Sequence, residues 1–293
     1  MQCVSLVVHQ LTTYNNKPLI TTQELNFGYN RNTSVLSHLT LTLPIGHVYG
    51  LFGKNGVGKS TLLKLLCGAL HGNGLCQIEG IDSASRSIEL LKQLCFVPET
   101  LDIRAITIEE LAKVTKPFYP TFSDELLSYC ISELEVPTGT RLTKMSLGQQ
   151  KKAIIAVAVA CNTPYLLLDE PTNGMDIPSK AALRRIIASI ASPEKLIIIS
   201  THQVDDLENL IDAAIIMDNN GILLNETLET IGQKLSFGPF DGESEIIYSE
   251  ETLRGTWCVT RNESGVEAPV DMKLLFSAVV KHPGEFKQIF KQH

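Results

Sequence analysis

The stretch Gly53-Lys54-Asn55-Gly56-Val57-Gly58-Lys59-Ser60-Thr61 constrains this chain more than any other. It matches the phosphate-loop pattern G-x-x-x-x-G-K-[ST]. Ahead of it, His47 to Phe52 reads as a short buried strand, and behind it Thr61 to Leu70 reads as a helix. A strand, a glycine turn and a helix N-terminus, in that order, are what a nucleoside triphosphate requires. Glycines let the backbone wrap closely, so that amide N–H groups point at phosphate oxygens. The helix start adds unpaired donors and a partial positive charge. In such a loop Lys59 reaches the β and γ phosphates, and Ser60 offers a hydroxyl to Mg2+.

The rest of the chain is ordered around this loop. Val35 to Leu43 alternates apolar and polar residues, as an antiparallel strand with one wet face does. Leu75 to Ile81 reads as a further antiparallel strand, Ser87 to Gln93 as a short helix, and Leu94 to Val97 as an apolar strand ending at Pro98-Glu99. Residues 107–136 are helical in pattern and broken near Pro117 and Pro120, with Ser123 as an N-cap. Ser146 to Lys152 opens an apolar helix that runs to Cys161. Tyr165 to Leu168 is a wholly apolar strand that leads into Asp169-Glu170-Pro171. Leu196 to Ser200 is another, leading into Thr201-His202. Short strands without polar alternation belong to a parallel sheet covered on both faces. Pro178 to Ile190 and Val204 to Leu210 read as helices, and Ala213 to Met217 with Gly221 to Leu224 as a final hairpin. Cys3 to Val8 reads as a strand of no assigned function.

In a parallel α/β sheet, functional groups gather at the carboxyl ends of the strands. Asp169 at such an end can hold Mg2+, and the adjacent Glu170, pointing differently, can polarise a water in line with the γ-phosphate. The expected fold is therefore α/β of the P-loop NTPase kind. It has a mixed sheet, an antiparallel β subdomain, a helical insert at about residues 100–160, and a small C-terminal α+β appendage. Composition shifts near Asn225, which divides the chain into 1–225 and 226–293.

The order of motifs across residues 21–225 resembles the ATP-binding subunit of an ATP-binding-cassette (ABC) transporter. Tyr29 matches the aromatic that stacks on adenine, and Gly53, Asn55, Gly56, Gly58, Lys59, Ser60 and Thr61 fall in the phosphate loop. Met145-Ser146-Leu147-Gly148-Gln149 corresponds to the family signature, Asn173 to Asp176 to the dimer-contact loop, and His202 to the switch histidine. The resemblance implies a head-to-tail homo- or heterodimer with ATP and Mg2+ between one chain's phosphate loop and the other chain's signature residues, which in this sequence are Ser146, Gly148 and Gln149. It implies catalytic roles for Lys59, Glu170 and His202, and a metal set of Ser60, Asp169 and Glu99. Two positions depart from the family pattern: Glu99 stands where glutamine is usual, and Leu147 replaces a signature glycine. Glu99 is read either as a transmitter of nucleotide state or as a surface turn residue.

Within the family, Phe118 to Phe122 and the apolar run Leu274 to Val280 are similar to subunits paired with a separate membrane permease, in the class exporting drugs, peptides or polysaccharides. That implies a peripheral protein on the cytoplasmic face of the membrane. Composition agrees: the most apolar run, Ala153 to Cys161, is too short to span a bilayer. Seven cysteines without a C-x-x-C pair indicate reduced thiols. A net charge of -7 carries no footprint for nucleic acid. The competing function is a soluble ABC-type ATPase acting on ribosomes or repair complexes; one cassette, with no charged linker or coiled-coil insert, argues against it.

Overall fold

The computed structural model describes residues 18–30, 33–207, 209–219, 221–240, 245–253 and 255–290. The strand expected at Cys3 to Val8 lies outside them. Strands β1 (Pro18–Phe27), β2 (Leu36–Pro44), β3 (Val48–Phe52), β4 (Asn73–Ile78), β5 (Ile81–Asp82) and β6 (Leu94–Val97) precede the helical insert. β7 (Tyr165–Asp169), β8 (Leu196–Thr201), β9 (Ala213–Asp218) and β10 (Gly221–Thr227) follow it. The strands β2-β1-β4-β5 form one antiparallel sheet, and β10-β9-β3-β8-β7-β6 form a second sheet that is parallel apart from its β10 edge.

The phosphate-loop strand β3 lies at the centre of the six-stranded sheet, between β8 and β9. Its residues are all buried, as are those of β7 and β8. Alternation still operates, but it divides the residues between two apolar layers. Phe52, Leu168, Ile199 and Ile216 face one hydrophobic cluster, and Leu51, Leu167, Ile198 and Ile215 face the other. The second layer holds the antiparallel sheet and helix α1 (Lys59–Leu66), through residues such as Leu41, Leu43, Leu62 and Leu66. In β2, Leu39, Leu41 and Leu43 are buried while Thr40 and Thr42 are exposed, matching the alternation in the sequence. Truncating a fully buried residue such as Ile199 to alanine costs about 2–5 kcal/mol, because the surrounding layers close only partly around the void.

The first layer holds the helical insert. After α2 (Ile88–Gln93) come α3 (Ile108–Thr115), α4 (Asp124–Glu133), α5 (Leu147–Ala160) and, beyond β7, α6 (Ile177–Ile190). Thr107 and Glu110 form a reciprocal capping box on α3, and Ser123 accepts from Leu126 N at 3.1 Å to cap α4. The break at Pro117 is a single 3-10 turn over Lys116–Phe118.

The same layer continues into the appendage. Helix α7 (Leu228–Lys234) leads to the antiparallel sheet β11 (Leu235–Pro239), β13 (Gly255–Arg261) and β12 (Ile246–Thr252), then to α8 (Met272–Lys281) and α9 (Pro283–Ile289). Ile231, Leu235, Val259, Leu275, Val279 and Phe286 share a hydrophobic cluster with Leu166 and Ile199 of the central sheet. β10 itself runs two residues past Asn225 to Thr227.

The phosphate-loop helix ends at Leu66, four residues short of the expected Leu70, and two further elements differ from the sequence reading. The strand expected over Leu75 to Ile81 is split into β4 and β5, because Glu79 and Gly80 adopt positive φ of 51° and 76° and turn the chain. The helix expected over Val204 to Leu210 is one 3-10 turn, Val204–Leu207. Its Asp206 carboxylate accepts from Lys180 Nζ at 2.7 Å, which ties the turn to α6.

Candidate functional site

The parallel register explains why distant residues meet. Phe52 pairs with Thr201, and Asp169 pairs with Ser200, so β3, β7 and β8 all end at one edge of the sheet. A cavity of about 410 Å3 opens there. Tyr29, Asn55, Gly56, Gly58, Lys59, Ser60, Thr61, Glu99, Glu170, Asn173 and His202 are among the residues lining it.

The phosphate loop adopts a conformation that only glycine permits at its last turn. Gly58 has φ 107° and a Cβ there would lie 2.8 Å from Leu36 Cδ2, while a Cβ on Gly53 would lie 2.7 Å from Met217 O. Lys59 is 6% exposed and donates to Gly53 O at 2.8 Å, so its ammonium is held within its own loop. It also lies 3.4 Å from Glu170 Oε1. Ser60 Oγ donates to Asp169 Oδ1 at 3.0 Å.

Asp169 is 1% exposed, and its Oδ1 also accepts from Ser200 Oγ at 2.7 Å. Ser200 in turn accepts from Glu170 N at 2.9 Å. One hydroxyl therefore orients both consecutive carboxylate residues. Glu170 sits at φ 46°, the left-handed region that a non-glycine residue occupies only when its surroundings hold it there. That turn of the backbone sends its side chain away from that of Asp169. Glu170 Oε2 lies 2.9 Å from His202 Nδ1. The carboxylate thus bridges Lys59 on one side and His202 on the other.

At the outer rim, the Tyr29 ring is 61% exposed, packed edge-on to Phe27 at 5.0 Å, with its hydroxyl 3.1 Å from Thr61 Oγ1. Glu99 Oε1 accepts from Asn173 Nδ2 at 3.1 Å. Ser60, Asp169 and Glu99 supply oxygen donors only, the hard set that suits Mg2+. Ser146, Gly148 and Gln149 do not line the cavity. They open α5, where Ser146 Oγ accepts from Gln149 N at 3.3 Å and Gln149 Oε1 accepts from Ser146 N at 3.0 Å. This capping box starts the helix at Leu147. Leu147 is 74% exposed, and Ile177, the first residue of α6, is 81% exposed.

Two residues here were not singled out in the sequence. Ser200 looked like the end of an apolar strand; its signal was that it closes the strand beside the one ending in Asp169. Lys151 is one of two lysines in the stretch that opens the apolar helix, with no role of its own in the sequence reading. It is 5% exposed and donates to Glu170 O at 2.7 Å. Burial pushes its ammonium below the usual lysine range, and the carboxylates of Glu99, Glu170 and Asp169 oppose that shift.

A family model described as "ABC transporter" matches residues 36–173. A bacitracin transport ATP-binding protein of Bacillus licheniformis is 32% identical over 215 residues, covering 71% of this chain and 69% of that protein. The chain belongs to the ABC transporter family. It is an ATP-binding subunit of that family, an ATPase whose hydrolysis is coupled to transport. A lantibiotic transport ATP-binding protein of Streptococcus pyogenes is 28% identical over 193 residues, covering 65% of this chain and 82% of that protein. The solved structure of an ATP-binding subunit of an ABC transporter superposes with a TM-score of 0.65 at 25% identity, covering 73% of this chain and 91% of that one. The P-loop NTPase fold expected from the sequence is the fold this ABC subunit has. Among its described residues, no helix is long and apolar enough to cross a membrane.

Proposed function

We propose that this ABC subunit dimerises head to tail around two Mg-ATP and drives a separate integral-membrane permease, in the direction of export, from the cytoplasmic face. The observation that carries the reading is the division of the motif residues. Lys59, Glu170 and His202 converge on one cavity, while Ser146, Gly148 and Gln149 of the same chain lie outside it. A second copy would supply those residues from the N-terminus of its own α5, whose amides favour an anion. The exposed Leu147 between Ser146 and Gly148 is apolar surface that such a contact would cover.

In this reading Tyr29 stacks on the adenine, and the loop amides from Gly53 to Thr61 cradle the phosphates. Lys59 exchanges its loop carbonyl for phosphate oxygens. Ser60, Asp169 and Glu99 would hold Mg2+, which when bound neutralises charge building on the phosphates. Glu170 accepts a proton from the attacking water, and His202 orients Glu170 and the γ-phosphate end of the site. Relatives named for bacitracin and lantibiotic transport support the coupling to transport.

The test is purification of the tagged chain from detergent-solubilised membranes, with its partners identified by mass spectrometry. A stoichiometric polytopic membrane protein is the expected result. Ribosomal or repair proteins in its place would overturn the proposed pairing with a permease.

A further inference from the structure

Lys151 lies one turn into α5, behind the capping box of Ser146 and Gln149 rather than beside it. Its ammonium donates to two carbonyls of the loop that follows β7: Glu170 O at 2.7 Å and Asn173 O at 3.4 Å. Between those residues, Thr172 Oγ1 is buried with no hydrogen-bond partner among the described residues, so it anchors nothing. The far end of the loop touches the same helix start, since a Cβ on Gly148 would lie 2.8 Å from Gly174 O. The beginning of α5 and the loop 170–174 are therefore joined by one buried ammonium and one close backbone approach.

The loop also carries the anionic side of the cavity. Glu170 leaves it at φ 46°, and Asn173 donates to Glu99 from its side chain while its carbonyl faces Lys151. A buried lysine is costly unless its charge is answered. Here the answer comes from carbonyl oxygens, with Glu99 bound to the next group along. Because Glu99 adds a negative charge close to the triphosphate, a buried cation on the opposite side of Asn173 offsets it.

We propose that Lys151 is a positioning residue for hydrolysis: it holds the Glu170–Asn173 loop against α5 and counterbalances Glu99 through Asn173. The inference rests on the reading of Glu170 as the group that activates water. It deepens that reading, because the N-terminus of α5 is what meets the nucleotide bound to the second copy. Seating of Ser146 and Gly148 on that nucleotide is transmitted through Lys151 to this chain's own Glu170. Each subunit thereby aligns its carboxylate only when its signature helix is engaged.

The experiment compares steady-state ATPase rate and binding of a fluorescent ATP analogue for the full-length chain and its Lys151→Gln, Lys151→Arg, Glu99→Gln and Lys151→Gln/Glu99→Gln variants. Lys151→Gln is expected to lower kcat about 10- to 100-fold while leaving nucleotide affinity within about twofold. Lys151→Arg should recover part of the rate, since it keeps the charge and offers donors, although its larger planar head fits the buried site less well. Adding Glu99→Gln, which removes the charge but keeps an oxygen able to ligate Mg2+, to Lys151→Gln should recover part of it, which is the non-additivity expected of coupled groups. Three results would overturn the proposal: a Lys151→Gln rate within about twofold of the parent; a parallel fall in rate and nucleotide affinity; or a loss that neither Lys151→Arg nor Glu99→Gln recovers, which marks a merely structural lysine. Failure of the underlying reading has a different signature, in which Glu170→Gln retains the parental rate whatever residue stands at 151.

Discussion

Ser60 donates its hydroxyl to Asp169 at 3.0 Å across 109 residues of sequence. The bond joins the first turn of α1 to the end of β7, and it exists because β3 and β7 both flank β8 in parallel. Ser200, from the strand between them, completes the arrangement by donating to the same Asp169 oxygen at 2.7 Å.

Removing that third hydroxyl tests how far Asp169 depends on it. Ser200→Ala leaves Asp169 short of a donor and Glu170 N with only the Ser200 carbonyl, at 3.2 Å. The expected outcome is a loss of about 10- to 100-fold in Mg2+ affinity or ATPase rate, the usual effect of deleting a group that orients a ligand. Titrating activity against Mg2+ in the variant and the parent measures it.

Glu170→Gln keeps the hydrogen bond to His202 within reach and removes the basic oxygen. Turnover should fall about 100- to 10,000-fold. Nucleotide binding should persist, so that ATP produces a dimer detectable by size-exclusion chromatography with light scattering. A monomer at saturating ATP would count against the proposed sandwich.

Tyr29 is an exposed aromatic at the rim, held by Phe27 and Thr61. Tyr29→Ala should weaken ATP binding roughly 5- to 100-fold, the range seen when a base loses its stacking partner. Tyr29→Trp should retain most of the affinity, because a larger ring still offers a face. Isothermal titration with ATP separates the two.

Gly148→Ala places a methyl group 2.8 Å from Gly174 O, a backbone atom that cannot swing aside. The α5 start must then move off the loop, at a cost of about 1–3 kcal/mol. ATPase rate should drop well beyond what the lowered melting temperature explains, since the displaced loop carries Glu170.

His47 lies 3.2 Å from the Asp212 carboxylate, and that hydrogen bond raises its imidazole above the usual value of 6.5 against the opposing effect of burial. A raised folded-state value means the pair stabilises fully below the unfolded value and loses that contribution as pH rises through the folded one. Both groups are partly exposed, so the effect is small. His47→Gln should lower the melting temperature by less than about 2 °C at about pH 6, and by nothing measurable at about pH 8.

Much of this architecture is visible in the chain itself. Asp169 and Ser200 end apolar runs, and runs that short, bounded by turn residues, read as strands covered on both faces. The loop from Gly53 to Thr61 announces its own chemistry, because its glycines and its lysine have few other reasons to stand at that spacing. Caps at Ser123 and Ser146 mark helix starts by local hydrogen bonding, which sequence encodes directly.

What required the folded molecule was everything set by distance across the sheet or by backbone twist. The split between β4 and β5 follows from positive φ at Glu79 and Gly80, and nothing in Glu79 itself signals that conformation. The appendage reads as a separate piece by composition, yet its Leu235, Val259 and Leu275 close the same apolar layer as the helical insert. Lys151 shows the difference most clearly. Its sequence context is a charged helix start, the ordinary place for a solvated lysine. Only the packing of α5 against the loop after β7 removes water from its ammonium and leaves carbonyl oxygens to satisfy it. Local hydrogen bonding and hydrophobic period are written in neighbouring residues, so the sequence determined the phosphate loop and most of the elements, the β4–β5 break and the 3-10 turn at Val204–Leu207 excepted. Desolvation and pairing depend on which elements pack together, so the tertiary structure decided which charges work as a unit.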